Sequence, residues 1–412
     1  MRVTTLLKKL LGIKHLVVDD FDIDGGALII DVRPRWLRLR CSSCRRRCSG
    51  YDTLESRLWR HLDWGGVRIW LRYVPKRVDC DRCGVVVQQV PWAASATTRF
   101  TWDFEEQVGF FAQRLDKSAV ELAFGIAWRT VGSIIERVVY RHRPGNPLKN
   151  LRDIGVDELS YRKGHRYVTL VTDHATGRIV WAKEGKSADT LKAFFVELGD
   201  KGRRRIRTVT IDMSQAYISA VRADLPAAQI IFDRFHVQRL VSDAVDKTRR
   251  EEWRRLTQVD KKEATKIKGL RWPLLKNPWN LSPTQAERLS SLQQDNARLY
   301  RAYLLKACFA DILDRRQPNV VKRKLQDWLA WASRSRLPAF VKAARTLREH
   351  LDDIVSYIRH RLTNGVAEGL NNKARLLTRR AYGFHSAPAA IAMIMLCCTG
   401  IELQPVAKTI LR

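Results

Sequence analysis

Two groups of residues in this 412-residue chain have the types and spacing that chemistry requires, and the first is a set of carboxylates. Three apolar runs end in an acid: Ile154-Gly155-Val156-Asp157, Val209-Thr210-Ile211-Asp212 and Ile230-Ile231-Phe232-Asp233. A later acid, Glu368, begins a helix-like stretch that continues through Lys373, Arg375, Arg379 and Arg380. By helical spacing Glu368, Asn372, Arg375 and Arg379 fall near one face. Hard oxygen ligands of this kind suit two magnesium ions about 4 Å apart, with manganese as the substitute. One ion would activate an attacking water or 3′-hydroxyl, and the other would stabilise the leaving oxygen. An acid followed by a basic stripe fits a metal ligand held beside a phosphate backbone. Glu158 is the rival of Asp157: neighbours on a strand point to opposite faces, so only one of the two serves.

The second group is made of thiols. Cys41-Ser42-Ser43-Cys44 and Cys80-Asp81-Arg82-Cys83 form two C-x-x-C knuckles, each able to aim both sulfurs at one ion. Together they predict a tetrahedral structural zinc site, which an Arg-rich region with little apolar core needs as a staple. The stretch between the knuckles has room for a hairpin at Val67 to Val74. Cys48 is a spare thiol, and Cys308, Cys397 and Cys398 lie in helical apolar contexts expected to be core. Around the first knuckle run Arg35-Trp36-Leu37-Arg38-Leu39-Arg40 and then Arg45, Arg46 and Arg47, a cluster suited to phosphate contacts.

A third pattern concerns recognition. Asp116 to Arg137 reads DKSAVELAFGIAWRTVGSIIER. It predicts a first helix capped by Ser118 with Val120, Leu122 and Ala123 apolar, then a turn at Gly125 with Ile126 plugging the space between helices. A second helix opens at Trp128 with Val131, Ile134 and Ile135 inward. That is the helix-turn-helix spacing, and it turns Arg129, Thr130 and Ser133 toward a major groove.

Composition says what these groups serve. Lys and Arg number 75 against 43 Asp and Glu, a formal charge of +32, and the pI is about 10.3. An enzyme for small neutral molecules seldom needs such a surplus; a polyanionic partner does. Hydrophobic residues make up 45%, which excludes wholesale disorder. No apolar run spans a bilayer, and Ala389 to Cys398 is short enough to be a buried helix. Met1 to Leu11 carries Lys8 and Lys9 and lacks a cleavage site, so it is not expected to act as a secretory signal. A reducing compartment is expected, with nucleic acid as the partner and no membrane.

The elements that must position these residues follow from the same patterns. The chain is expected to be a multidomain α/β protein: a small zinc ribbon over 1–95, a helical helix-turn-helix domain over 96–147, and a mixed-sheet domain starting at 148. After the Asp157 strand come strands at Tyr167 to Thr172 and Arg178 to Ala182, with Ala175-Thr176-Gly177 between them. A helix over Ala188 to Leu198, the Asp212 strand, a helix over Gln215 to Ala223, the Asp233 strand and a helix near His236 complete the order β-β-β-α-β-α-β-α. That is the order of the ribonuclease-H-like fold, in which the first and fourth strands are neighbours, so Asp157 and Asp212 meet at one sheet edge. The first part of this domain ends near 250. Residues 251–361, with Trp253, Trp272, Trp279, Trp328 and Trp331, are predicted as an all-α insertion, and 362–412 as the domain's C-terminal helices.

The paired knuckles, Gly155-Val156-Asp157-Glu158, Ile211-Asp212-Met213-Ser214 with Tyr217, Asp233-Arg234-Phe235-His236, and Asn364-Gly365 through Glu368-Gly369 to Asn371 occur in this order over nearly the whole chain. In that combination the chain resembles the DDE transposases of bacterial insertion sequences, most closely the ISL-three group. The resemblance implies that Asp157, Asp212 and Glu368 are a catalytic triad, and it selects Asp157 over Glu158. It implies that Asp233 and His236 form an element close to the active site, where His236 bonds the scissile phosphate or steadies a ligand. Binding of terminal inverted repeats in double-stranded DNA, cut-and-paste transposition with magnesium, and action on target DNA are implied with it. So are Lys373, Arg375 and Arg379 as DNA contacts, a homodimer or higher oligomer to pair two ends, and a place in the bacterial cytoplasm with the nucleoid. A catalytically silent DNA-binding regulator and a structure-selective nuclease of the same fold are the alternatives; metal-dependent cutting and strand transfer separate them.

Overall fold

A computed structural model of the chain describes residues 2–94, 98–143, 145–360 and 365–406, with the backbone alone at His360 and at 365–368. The described chain divides into two compact units, Met1–Pro144 with Ala392–Arg412, and Gly145–Ile391.

The first unit runs α1 (Val3–Leu11), β1 (Leu16–Asp24), β2 (Ala27–Pro34), β3 (Ser49–Thr53), β4 (Arg57–Arg60), β5 (Arg68–Tyr73), β6 (Lys76–Cys80), β7 (Gly84–Val87), α2 (Trp102–Ala112), α3 (Lys117–Phe124) and α4 (Trp128–His142). Its strands form two sheets, ordered β1-β2-β5-β4 and β3-β6-β7. Alternation aims Leu16, Val18, Ile30, Val32, Ile69 and Leu71 into one core with Trp59, Trp92 and, from α1, Leu7 and Leu11. The smaller sheet buries only Cys41, Val78 and Cys80, with Leu39 and Val86 packed partly against them.

Three local expectations change here. The Trp36-Leu37-Arg38-Leu39 run, whose alternation suggests a strand, is not one, and Leu37 is almost fully exposed. Its backbone instead closes the knuckle loop, with Cys48 N–H donating to the Leu39 carbonyl at 3.0 Å and Gln89 N–H to the Arg40 carbonyl at 2.8 Å. Val67 to Val74 is not a hairpin by itself: it carries the single strand β5, paired antiparallel with β4 across a reversal in which Trp64 and Val67 exchange backbone bonds. The cap of α3 is Asp116 rather than Ser118, its carboxylate accepting from the Ser118 and Ala119 N–H groups at 3.0 and 2.9 Å.

In α3 only Val120 is buried. Leu122 is 85% exposed, because two residues of helix turn it about 200° away from Val120. Gly125 takes the left-handed conformation (φ +57°) that a side chain resists, and α3 and α4 are bent by 103°. From α4, Val131, Ile134, Ile135 and Val138 are buried.

The second unit holds β8 (Asp153–Arg162), β9 (Arg166–Asp173), β10 (Arg178–Glu184), α5 (Ala188–Arg203), β11 (Thr208–Ile211), α6 (Gln215–Asp224), β12 (Gln229–Phe232) and α7 (Arg234–Thr257). Then come α8 (Lys261–Gly269), α9 (Arg271–Leu275), a 3₁₀ turn at Pro278–Asn280, α10 (Pro283–Asp295), α11 (Ala297–Asp314), α12 (Pro318–Arg334), α13 (Pro338–Glu349), α14 (Leu351–His360), α15 (Gly365–Arg380) and α16 (Ala387–Cys398), whose last residues belong to the first unit.

The sheet order is β10-β9-β8-β11-β12; β8 is antiparallel to β9 and parallel to β11, which is parallel to β12. Near-continuous apolar runs such as Val209–Ile211 and Ile230–Phe232 suit parallel strands covered on both faces. Register between β8 and β11 is pinned by Asp153, which accepts from Thr208 Oγ1 at 2.8 Å and from Arg207 at 2.7 Å. Gly155 is tightly hemmed: a Cβ would stand 3.1 Å from Thr210 Oγ1 and 3.2 Å from His174 Nε2, which bond each other at 2.7 Å and would have to give by a few tenths of an ångström.

The helices from α7 to α14 share one apolar core with the sheet, through residues such as Leu299, Phe309, Trp328 and Phe340. Trp328 is buried, with its indole N–H donating to the Leu305 carbonyl at 2.8 Å. Trp272 and Trp279 are exposed instead. Cys397 and Cys398 are core as expected, but Cys308 is exposed, on the outward side of α11 between buried Leu305 and Phe309. Among the described residues no single helix is long and apolar enough to cross a membrane.

Candidate functional site

Because β8, β11 and β12 run parallel, their carboxyl ends share one edge of the sheet. Thr210 pairs with Gly155 and Ile211 with Phe232, so one to two residues further on Asp212 stands level with both Asp157 and Asp233. Neighbouring strands lie about 4.8 Å apart, which puts three acids distant in sequence in one row. Two of them also shape the chain. Asp212 accepts from Ser214 N–H at 2.9 Å, turning the chain out of β11 into α6. Asp233 caps α7, accepting from Phe235 N–H at 3.0 Å. Each uses one carboxylate oxygen for the turn.

Asp157 is largely enclosed. One oxygen accepts from the Glu158 N–H at 2.6 Å, and the other from the Asn371 side-chain amide. Burial pushes its carboxyl above the ordinary range, a tendency that the Glu158 N–H and the charges of His236 and Arg375 oppose and that of Asp212 reinforces. Burial also raises Glu158, and the Asp212 charge adds to it, while the Tyr217 hydroxyl and Lys186 act the other way. Burial raises the Tyr217 phenol in turn, which bonds Thr169 Oγ1 at 2.9 Å. The two neighbours therefore have different surroundings, as the pleat requires: Asp157 meets α15, and Glu158 meets Tyr217 of α6.

His236, on the first turn of α7, has Nε2 3.8 Å from Asp233, too far for a hydrogen bond, and its ring meets Phe235 edge-on at 5.6 Å. Its charge reaches Asp157, which sets it at the same edge. The Glu368 side chain lies outside the described residues, although its backbone belongs to α15. Lys373, Arg375 and Arg379 follow on that helix and are exposed. The stripe read from Glu368 takes in Asn372 and the arginines and passes over Asn371, which enters only as the end of the family-like motif. Yet Asn371 is buried and reaches Asp157, and its signal was a place one turn after Glu368 on the same side of the helix.

In the first unit the sulfurs of Cys41, Cys44, Cys80 and Cys83 all lie within 4.8 Å of one another. The Cys44 and Cys80 sulfurs are 3.6 Å apart, close to the ~3.8 Å edge of a tetrahedron with zinc–sulfur bonds of about 2.3 Å. Backbone N–H groups of Arg82 and Cys83 pull the Cys80 thiol down to about 6, toward the thiolate that a metal needs. Among the described residues this is the single set of three or more ligand atoms so gathered. Its donors and spacing fit zinc. Cys48 stands outside the set, its thiol turned to the Arg46 carbonyl at 3.5 Å. Arg45, Arg46 and Arg47 are exposed, and the last two line a cleft of about 310 Å³ with Arg38 and Arg82.

Arg129, Thr130 and Ser133 of α4 line a groove of about 1010 Å³ whose lining also includes Arg99, Phe100 and Trp102. Arg129 and Ser133 are exposed and Thr130 is half-buried. Further along α4, Arg137 and Arg141 are committed to the buried carboxylate of Glu105, at 2.7 and 3.2 Å.

Residues 154–394 match the ISL3 family model of DDE transposases, described as a transposase. The chain is 36% identical to the transposase for insertion sequence element IS1557 of Mycobacterium tuberculosis, with 97% of this chain and 96% of the relative covered. It is 30% identical to the transposase for insertion sequence element IS1001 of Bordetella parapertussis, over 87% of this chain and 89% of that one.

Proposed function

The chain belongs to the ISL3 family of DDE transposases, and from that premise we propose that it binds the terminal inverted repeats of an insertion sequence and moves the element by cut-and-paste transposition. The observation that carries this is the sheet edge, where Asp157 and Asp212 stand level on adjacent parallel strands and α15 docks on Asp157 through Asn371. We read the strand order as that of a ribonuclease-H-like domain, made of 148–250 and 362–412 and interrupted by the helical insertion 251–361, with Ala392–Arg412 at its end grouped in the first compact unit. The zinc ribbon 1–95 and the helix-turn-helix domain 96–147 complete the chain.

In this reading Asp157, Asp212 and Glu368 are the triad. Glu368 precedes Asn371 by one helical turn, which is why α15 is the helix that brings the third acid. Magnesium ions bound by these carboxylates would activate the attacking water or 3′-hydroxyl and stabilise the leaving oxygen. The protein's own groups do the rest. Asn371 orients Asp157, Asp233 holds the start of α7 at the edge, and His236 hydrogen-bonds the scissile phosphate. Lys373, Arg375 and Arg379 offset the repulsion between the acids and the DNA backbone. Arg129, Thr130 and Ser133 meet the major groove, and Arg45, Arg46 and Arg47 meet phosphates beside a zinc-stapled knuckle. Pairing two ends calls for at least two copies, working in the bacterial cytoplasm at the nucleoid.

The test is cutting and strand transfer with magnesium on duplexes carrying the inverted repeats that flank the coding region. Asp157→Asn, Asp212→Asn and Glu368→Gln each abolish both steps while gel-shift binding persists, and Glu158→Gln leaves both in place. Activity retained by any of the three removes that residue from the triad. Cutting of junctions without strand transfer would assign the chain to the structure-selective nucleases instead. Intact DNA binding without any cutting by the unmodified protein would make it a regulator.

A further inference from the structure

On the loop that joins β2 to the first knuckle, Leu37 stands almost wholly in solvent, 97% exposed. A single apolar side chain at a surface is ordinary; its setting here is not. Exposed Arg35 and Arg38 flank it in the chain, and Arg38 belongs to the cleft of about 310 Å³ that it lines with Arg46, Arg47 and Arg82. The carboxylates of Asp79 and Asp81 share that lining, which leaves the guanidinium groups in excess. Like charges gathered this way repel one another unless a polyanion lies among them.

The loop is held so that Leu37 stays out. At one end the Arg35 N–H donates to the His15 carbonyl at 2.8 Å; at the other the Leu39 and Arg40 carbonyls accept from the Cys48 and Gln89 N–H groups at 3.0 and 2.8 Å. Between these bonds Trp36 is half-buried, its ring 6.1 Å from that of His15 and 5.6 Å from the Arg40 guanidinium. Leu37 has no such anchor and projects. A tip fixed before its partner arrives loses little conformational freedom on contact.

The partner follows from the shape and chemistry of the tip. A major groove admits a helix or a two-stranded ribbon, whereas the minor groove, about 6 Å wide, is entered by single extended segments and side chains. Arginines are drawn to the negative potential of a narrow minor groove, and leucine is among the side chains that wedge between base pairs there.

We infer that Leu37 is a minor-groove wedge: Arg35 and Arg38 meet the groove and its phosphates, and the Leu37 side chain enters one base step and kinks the duplex by roughly 20–90°. The inference rests on the reading that the ribbon region binds the terminal inverted repeats. Pyrimidine–purine steps are the ones most easily kinked, so the wedge selects such a step without a hydrogen bond to any base edge.

The test uses the full-length protein in magnesium-free buffer, which leaves DNA whole, and duplexes of the inverted repeats that flank the coding region. Dyes at the two ends report bending by energy transfer. 2-Aminopurine, placed at each adenine in turn, brightens where a base loses its stacking neighbour. With the unmodified protein one step brightens and the duplex bends. Leu37→Ala abolishes the brightening and removes that kink while the gel shift persists, and Leu37→Met keeps both. A mismatch at the same step, which lowers the cost of unstacking, tightens binding by the unmodified protein roughly ten-fold and leaves Leu37→Ala unchanged. Bending and brightening that survive Leu37→Ala overturn the wedge. A Leu37→Ala protein that bends DNA normally but no longer pairs two ends overturns it too, and makes the side chain a contact between copies. A normal gel shift on straight DNA refutes the wedge alone, whereas an unmodified protein that fails to shift the repeats refutes the inverted-repeat reading beneath it.

Discussion

A carboxylate that has lost its water keeps its place only when hydrogen-bond donors take over, and Asp157 draws one from its own backbone neighbour and one from Asn371. Removing the second donor is therefore expected to matter although Asn371 itself does no chemistry. Asn371→Ala should cut the rate of DNA cleavage roughly 10–100-fold, the usual cost of losing an outer-shell partner, with DNA affinity retained. An unchanged rate would leave the placement of Asp157 to the backbone alone. In the first unit His61 makes a different argument: it is buried, its Nδ1 lies 2.9 Å from Thr101 Oγ1, and burial pulls its imidazole down to about 4. The folded value lies below the ordinary 6.5, so the unfolded chain takes the proton first. The stability that neutral His61 allows is complete above pH 6.5 and is lost as pH falls toward 4, by about 3 kcal/mol. Urea unfolding followed by tryptophan fluorescence should show that limb in the wild type and a flatter one in His61→Gln; parallel curves would rule it out.

At the scale of elements, the two sheets of the first unit are held by different means. The larger has Trp59, Trp92, Ile69 and Leu71 in an apolar core; the smaller buries three residues, two of them cysteines. A sheet with so little apolar burial is expected to depend on an ion held by the four thiols. Chelation, or Cys80→Ser, should strip hydrogen-exchange protection from Val78 and Val86 while Ile69 and Leu71 keep theirs. Equal protection before and after chelation would mean that the sheet stands without metal. The knuckles were legible because C-x-x-C spacing is local, and the β8–β12 order because each strand carries its own apolar run. The hairpin partner of β5 was not legible: antiparallel pairing with β4 and parallel pairing with β2 are settled by which strands meet, not by β5 itself. The cap of α3 went to Asp116 over Ser118 because a carboxylate two residues earlier reaches both free N–H groups.

For the whole molecule the surplus of +32 is a statement about partners, but not every cation is available to one. Arg72, Arg77, Arg137 and Arg207 pair with Asp31, Asp52, Glu105 and Asp153, and Arg203 pairs with Asp200 and Asp224. The run from Arg203 to Arg207 thus ties α5 and β11 to their neighbours as much as it faces outward. Arg45, Arg46, Arg47, Arg129, Lys373, Arg375 and Arg379 are exposed. If each of these seven neutralises one phosphate, the logarithm of DNA affinity should fall against the logarithm of salt with a slope of about −6, and Arg129→Ala should reduce it by about 1. A slope half as steep would place much of this charge off the DNA path.

The knuckles and the acid-ending motifs, by their order along the chain, carried the resemblance to the family, and the thiol spacing by itself offered a zinc-type ligand set, because each motif is written within a few neighbouring residues. Tertiary structure decided which groups keep company. Asn371 meets Asp157 across 214 residues of chain, Glu158 turns to Tyr217 on the other face, and Arg137 is spent on Glu105. Periodicity records which side of an element is apolar; it carries no mark of which distant element will cover that side, and hydrogen bonds and burial at the carboxyl edge follow only from that choice.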